Sequence, residues 1–132
     1  MSRLRESLIE LIRRTSAEIP DDVQTAILRG LEQEKEGTIA KSAMEIIERN
    51  IGLAKSKSQP ICQDTGSILF YVDCPVGLNQ VEFEREAREA VKEATRLGYL
   101  RQNSVDSITG KNDGTNLGPG SPNLHFHQHT SD

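Results

Sequence analysis

The segment Pro60-Ile61-Cys62-Gln63-Asp64-Thr65-Gly66 separates two kinds of sequence and limits what each can become. Proline disfavours helical geometry at the residue before it, so a helix arriving from the amino side must stop at its threshold. Gly66 permits a tight bend or a close backbone approach. An apolar run, Ile68 to Val72, follows at once. It is continuous rather than alternating, and so predicts a buried strand over Ser67 to Asp73. A thiol, an amide, a carboxylate and a hydroxyl are thereby gathered at the start of a strand.

Upstream, the apolar residues recur at helical spacing. Leu4, Leu8, Leu11 and Ile12 form one stripe in a helix predicted from Ser2 to Ile19, ended by Pro20. Asp21 is a suitable N-cap for a second helix with Val23, Ala26, Ile27 and Leu31 on its stripe. Gly37 stops that helix. Thr38 opens a third, which carries Ile39, Ala43, Ile46, Ile47, Ile51 and Ala54 and ends in Lys55-Ser56-Lys57-Ser58. These stripes read as packing surfaces.

Downstream, a helix is predicted from Glu82 to Leu97, with Phe83, Ala87, Ala90, Val91 and Ala94 inward and Gly98 as its C-terminal cap. Asn103 to Pro122 is rich in Gly, Asn, Asp and Pro; a loop of that length within a compact domain is either functional or disordered. Pro122 to His129 alternates, with Leu124 and Phe126 on one side and His125, His127 and His129 on the other, as in a strand with one wet or partner-facing side. The whole predicts an α+β fold. Its helical part is 1–57 and its mixed part 58–132, within a single domain: N-terminal helices, then a small sheet with a packed helix and a long Gly/Asn-rich loop.

Composition excludes several functions. With 16 Lys and Arg against 20 Asp and Glu, the formal net charge is -4, which argues against nucleic-acid binding through a broad basic surface. No apolar run approaches the roughly 20 residues that span a bilayer, and the amino terminus has no signal-peptide core. A cytoplasmic protein, with no membrane or nucleic-acid partner, is expected. The two cysteines, Cys62 and Cys74, are too few for a disulfide framework.

Four groups carry possible chemistry, and each has a plainer reading beside it. Cys62 beside Asp64 suits a soft metal ligand, or is a buried structural cysteine beside a capping carboxylate. The loop from Asn103 to Gly120 can cradle an anion with its N–H groups, or is a surface loop. Arg101 suits a bidentate grip on a carboxylate, or favours a helix end. Two of His125, His127 and His129 can share one metal, or are ordinary surface histidines. A zinc-binding module joining Cys62 to His125 or His127 is an alternative.

The motif Cys62-Gln63-Asp64-Thr65-Gly66 narrows these choices. Together with Pro20-Asp21-Asp22-Val23, Gly98-Tyr99-Leu100-Arg101, Asn103-Ser104-Val105-Asp106 and Gly114-Thr115-Asn116, it closely resembles the start of the alpha part of the class I fumarate hydratase and L-tartrate dehydratase family. The resemblance runs in order over nearly the whole chain. It implies a hydro-lyase that hydrates or dehydrates a four-carbon dicarboxylate: malate and fumarate, or tartrate to oxaloacetate. It further implies a [4Fe–4S] cluster held by three cysteines, the first matching Cys62. Gln63 and Asp64 match substrate-contacting residues, Asp64 the catalytic one. Arg101 matches an arginine that binds a substrate carboxylate.

The other two cluster cysteines of the family match nothing in this chain, and Cys74 is neither of them. The resemblance therefore implies an N-terminal portion of a larger alpha subunit, partnered by a beta subunit or a C-terminal domain. Alone, the chain is expected to be inactive, with Cys62 free of metal. The loop from Asn103 to Gly120 is expected to be poorly ordered or swapped onto a neighbour, and the apolar surroundings to drive oligomer formation.

Overall fold

A computed structural model describes residues 2–130. Its elements are α1 (Arg3–Ala17), α2 (Asp21–Gln33), α3 (Ile39–Lys57), β1 (Leu69–Pro75), α4 (Gln80–Arg96) and β2 (Asn123–His129). The expected α+β order of elements is present.

Local chemistry sets most boundaries. The side chains of Ser2, Thr38 and Asn79 accept hydrogen bonds from the Arg5, Lys41 and Glu82 N–H groups and so cap α1, α3 and α4. For α2 the expected cap is corrected. Pro20 occupies that position without a side-chain bond, and Asp21 lies in the first turn, where its charge favours the positive helix end. Helix α4 closes as predicted at Gly98, whose φ is +80°. The Tyr99 N–H donates to the Ala94 carbonyl at 2.9 Å and the Gly98 N–H to the Thr95 carbonyl at 3.1 Å, a Schellman closure.

Helices α1 and α4 lie side by side and run in the same sense. Ser2 and Arg5, early in α1, hydrogen-bond Glu86 of α4. Leu8, Ile9 and Ile12 of α1 pack with Ala87, Ala90, Val91 and Ala94 of α4, and with Phe70 and Leu100. The alanines on α4 put little side chain between the helices. Helices α2 and α3 pack on each other. No residue of α2 is buried, and Ile39 and Ile46 of α3 remain exposed.

Strands β1 and β2 pair in parallel, with Phe70 beside Leu124, Tyr71 beside His125 and Val72 beside Phe126. Leu124 and Phe126 turn inward, as their alternation with histidine predicts. The expectation of a wholly buried β1 is corrected: Phe70 and Cys74 are buried, but Leu69 and Tyr71 on the other face are exposed, Tyr71 at 79%. Helices α1 and α4 pack on only one side of the two strands, so a continuous apolar run does not mean burial on both.

A parallel pair needs a crossover, and α4 supplies it. It returns the chain from the carboxyl end of β1 to the amino ends of both strands. Gly66, just before β1, and the segment 100–122, just before β2, therefore meet at one edge.

Candidate active site

The turn 60–66 is fastened from both sides. The Ile61 N–H donates to the Ser16 carbonyl at the end of α1 at 2.9 Å. Asn50 of α3 donates its amide Nδ2 to the Ile61 carbonyl at 2.8 Å. Within the turn, the Thr65 hydroxyl donates to the Cys62 carbonyl at 3.4 Å. The next three side chains in sequence, those of Cys62, Gln63 and Asp64, are all exposed.

On the other side lies the segment 101–103. Gly66 is buried against it: a Cβ at Gly66 would lie 2.5 Å from the Arg101 carbonyl oxygen and 2.9 Å from the Asn103 nitrogen. No other residue type fits without separating the two segments. The Arg101 N–H donates to Thr65 Oγ1 at 3.4 Å. Asn103 Nδ2 donates to the Gln63 carbonyl. The structure thus brings together the backbone that carries all four residues predicted for the site: Cys62, Gln63, Asp64 and Arg101. Among the described residues, neither Asp64 nor Arg101 enters an ion pair.

The loop 101–122 is built around Asn116. This residue is fully buried and sits at φ +58°, a conformation asparagine tolerates better than most residues. Its Oδ1 accepts from the Asn103 and Ser104 N–H groups at 3.0 and 3.2 Å. Its Nδ2 donates to Thr95 Oγ1 at 3.1 Å and to the Arg101 carbonyl at 2.7 Å. Two carboxylates tie the outer loop. Asp113 accepts from the Thr115 hydroxyl and N–H, and Asp106 from the Thr109 N–H and hydroxyl and the Ile108 N–H. These bonds hold both carboxyls below the usual carboxylate range, chiefly through the Thr115 hydroxyl for Asp113 and the Thr109 N–H for Asp106.

Clefts flank these segments. One, of about 370 Å³, runs from Leu11 and Ser16 to Thr65 and Tyr71 and adjoins the turn. A larger one, of about 800 Å³, lies between Arg96 and Thr115, and none of the four predicted residues lines either cleft. The larger is lined by charges of both signs, and the chemistry is gathered at the turn instead.

The histidines lie on the sheet's exposed face, from its middle at His125 to its carboxyl end at His129. His125 stacks on Tyr71 at a ring separation of 5.0 Å, and His127 Nδ1 lies 3.1 Å from Asp73 Oδ1. Among the described residues no three His, Cys, Asp or Glu side chains are grouped to hold a metal, whereas structural zinc takes four ligands.

A parallel pair joined by a helix, with a Cys-Gln-Asp-Thr-Gly turn seated on a Leu-Arg segment, defines a class. Residues 5–132 match the family fumarate hydratase (Fumerase), and the chain belongs to it. It is 44% identical over its full length to a protein of Geobacillus stearothermophilus named as a class I fumarate hydratase, of which it covers 26%. It is 31% identical, over 94% of its length, to a protein of Methanocaldococcus jannaschii named as an L(+)-tartrate dehydratase alpha subunit, of which it covers 45%. The L(+)-tartrate dehydratase alpha subunit of Escherichia coli K12 is 30% identical over 92% of this chain and is covered to 40%. The chain therefore spans between about a quarter and a half of the length of these relatives.

Proposed function

We propose that this chain forms one wall of a hydro-lyase active site that reversibly hydrates a four-carbon dicarboxylate, most simply fumarate to malate. The observation that carries the reading is the seating of Gly66 on the Arg101–Asn103 backbone, which sets the turn bearing Cys62, Gln63 and Asp64 against the segment bearing Arg101. Identity of 44% to a protein named as a class I fumarate hydratase supports fumarate. The two tartrate dehydratase alpha subunits, at 31% and 30%, support L-tartrate as the second reading. Their subunit names also support a beta subunit, or an equivalent C-terminal domain, as partner.

In this reading each residue has a separate task. Arg101 grips a substrate carboxylate through two parallel N–H bonds. Gln63 offers a neutral donor and acceptor beside it. Asp64 holds or passes the proton of the substrate hydroxyl. The base that works at carbon comes from another part of the enzyme.

Cys62 and Cys74 differ in what they can offer a cluster. Cys74 is 3% exposed on the inner face of β1, whereas Cys62 is exposed on the turn. This donor set fits one thiolate ligand from this chain, Cys62, to a [4Fe–4S] cluster whose other thiolates come from elsewhere in the enzyme. When bound, such a cluster supplies an open iron that eases loss of hydroxide as a Lewis acid.

Anaerobic reconstitution of the assembled enzyme with iron and sulfide, followed by turnover of malate, fumarate and L-tartrate, tests the reading. Cys62→Ser is expected to lower cluster absorbance and abolish turnover. Undiminished cluster content in that variant, or full turnover without iron, would overturn it.

A further inference from the structure

We infer that Asn116 is a positioning residue: it transmits the fixed end of α4 to the turn that carries Gln63 and Asp64. The inference rests on the hydro-lyase reading for its catalytic consequence, but the geometry stands without it. Thr95, in the last turn of α4, is 3% exposed and is itself anchored by its hydroxyl to the Val91 carbonyl at 2.7 Å. Asn116 binds that hydroxyl with Nδ2 and uses its remaining three bonds on Arg101, Asn103 and Ser104. Asn103 passes the constraint on through its own amide to the Gln63 carbonyl. A second tie holds Asn116 from the opposite direction, since Ser121 donates its hydroxyl to the Asn116 carbonyl at 2.6 Å.

The residue type follows from the demands at this position. It must accept two bonds and donate two, which a primary amide does and a carboxylate does not. It must also sit at φ +58°, which disfavours the longer glutamine and every β-branched residue. Aspartate would turn two donors into acceptors facing the Arg101 carbonyl. Glycine would keep the backbone and lose the network. A residue that only filled space would need none of these bonds.

The test compares Asn116→Gly, Thr95→Val and Thr95→Ser in the assembled enzyme. Native-state hydrogen exchange is read at Asn103 and Ser104 and, as reference, at Ala90, Val91 and Ala94. KM and kcat for malate are read beside cluster content. Asn116→Gly and Thr95→Val are expected to speed exchange at Asn103 and Ser104 about tenfold, with the α4 reference amides unchanged, and to raise KM about tenfold at unchanged cluster content. Thr95→Ser, which keeps the hydroxyl, is expected to restore both readouts. Should Asn116→Gly fail to fold, Asn103→Ala breaks the last link from an exposed position and is expected to raise KM alike. Wild-type exchange at Asn103 and Ser104 in Asn116→Gly, or equal acceleration across α4, would overturn the inference. So would a wild-type KM in Asn103→Ala. An unaltered enzyme that turns over no dicarboxylate would instead overturn the hydro-lyase reading, and exchange would still decide whether Asn116 holds the segment.

Discussion

Gly66 matters through the atom it lacks. Its missing Cβ lets the turn rest on the Arg101 carbonyl and the Asn103 nitrogen. Gly66→Ala should therefore destabilise the chain by about 1–3 kcal/mol, the usual cost of forcing extra carbon into packed backbone, and thermal melting checks this. The two cysteines make a second residue-level prediction. A small alkylating reagent should modify Cys62 in the native chain and Cys74 only after unfolding, because one is exposed and the other buried; peptide mapping by mass spectrometry distinguishes them. Equal native labelling would count against the placement of Cys74 on the inner face of β1. Residue type drew attention to Cys62 beside Asp64 and to Arg101, each with a plainer reading beside it, whereas Gln63 entered only through the resemblance of the Cys-Gln-Asp-Thr-Gly motif. Asn116 was legible only as one asparagine of a Gly- and Asn-rich stretch. Its importance comes from burial and from four partners spread over Thr95 to Ser104, and no local pattern encodes that.

The pair α1 and α4 is fastened at one end by Glu86. Its carboxylate takes bonds from the guanidinium of Arg5 and the hydroxyl of Ser2, and pairs with Arg85 at 3.1 Å. Those bonds hold the Glu86 carboxyl below its ordinary value, with Arg5 the main cause and Ser2 next. A depressed folded value means that the contribution is present above the unfolded value of about 4.3 and is lost as pH falls through the folded one. Melting temperature should thus fall more steeply from about pH 6 to about pH 3 in the wild type than in Glu86→Gln, which lacks that titration and starts lower. Parallel slopes in thermal melts would show that Glu86 does not link α1 to α4 in this way. At the far end of α4, Gly98→Ala should cost about 1 kcal/mol, because φ is +80° there. Helix periodicity and the glycine made α4 readable in advance, including inward Phe83, Ala87, Ala90, Val91 and Ala94, but not the buried Glu86 and Thr95. Strand β1 was read as buried on both faces because apolar continuity does not reveal how many layers cover a sheet.

Across the whole molecule, stability is unevenly shared. The core joins α1, α4 and the sheet, while α2 has no buried residue. Amides of α2 should exchange with solvent faster than those around Val91, and native-state hydrogen exchange measures the difference. The order of elements was legible from sequence, but this partition was not, because α1 precedes α2 by only a few residues and yet packs on α4. The shared direction of α1 and α4 has an electrostatic result. Both helices end toward the turn, α1 through the Ser16 carbonyl and α4 just before Arg101. A helix presents partial negative charge at that end, so these two repel an arriving anion where many α/β sites attract one. Under the proposed hydro-lyase reading, the attraction of a dicarboxylate would fall to cationic side chains such as Arg101, and its capture should weaken as added salt screens them.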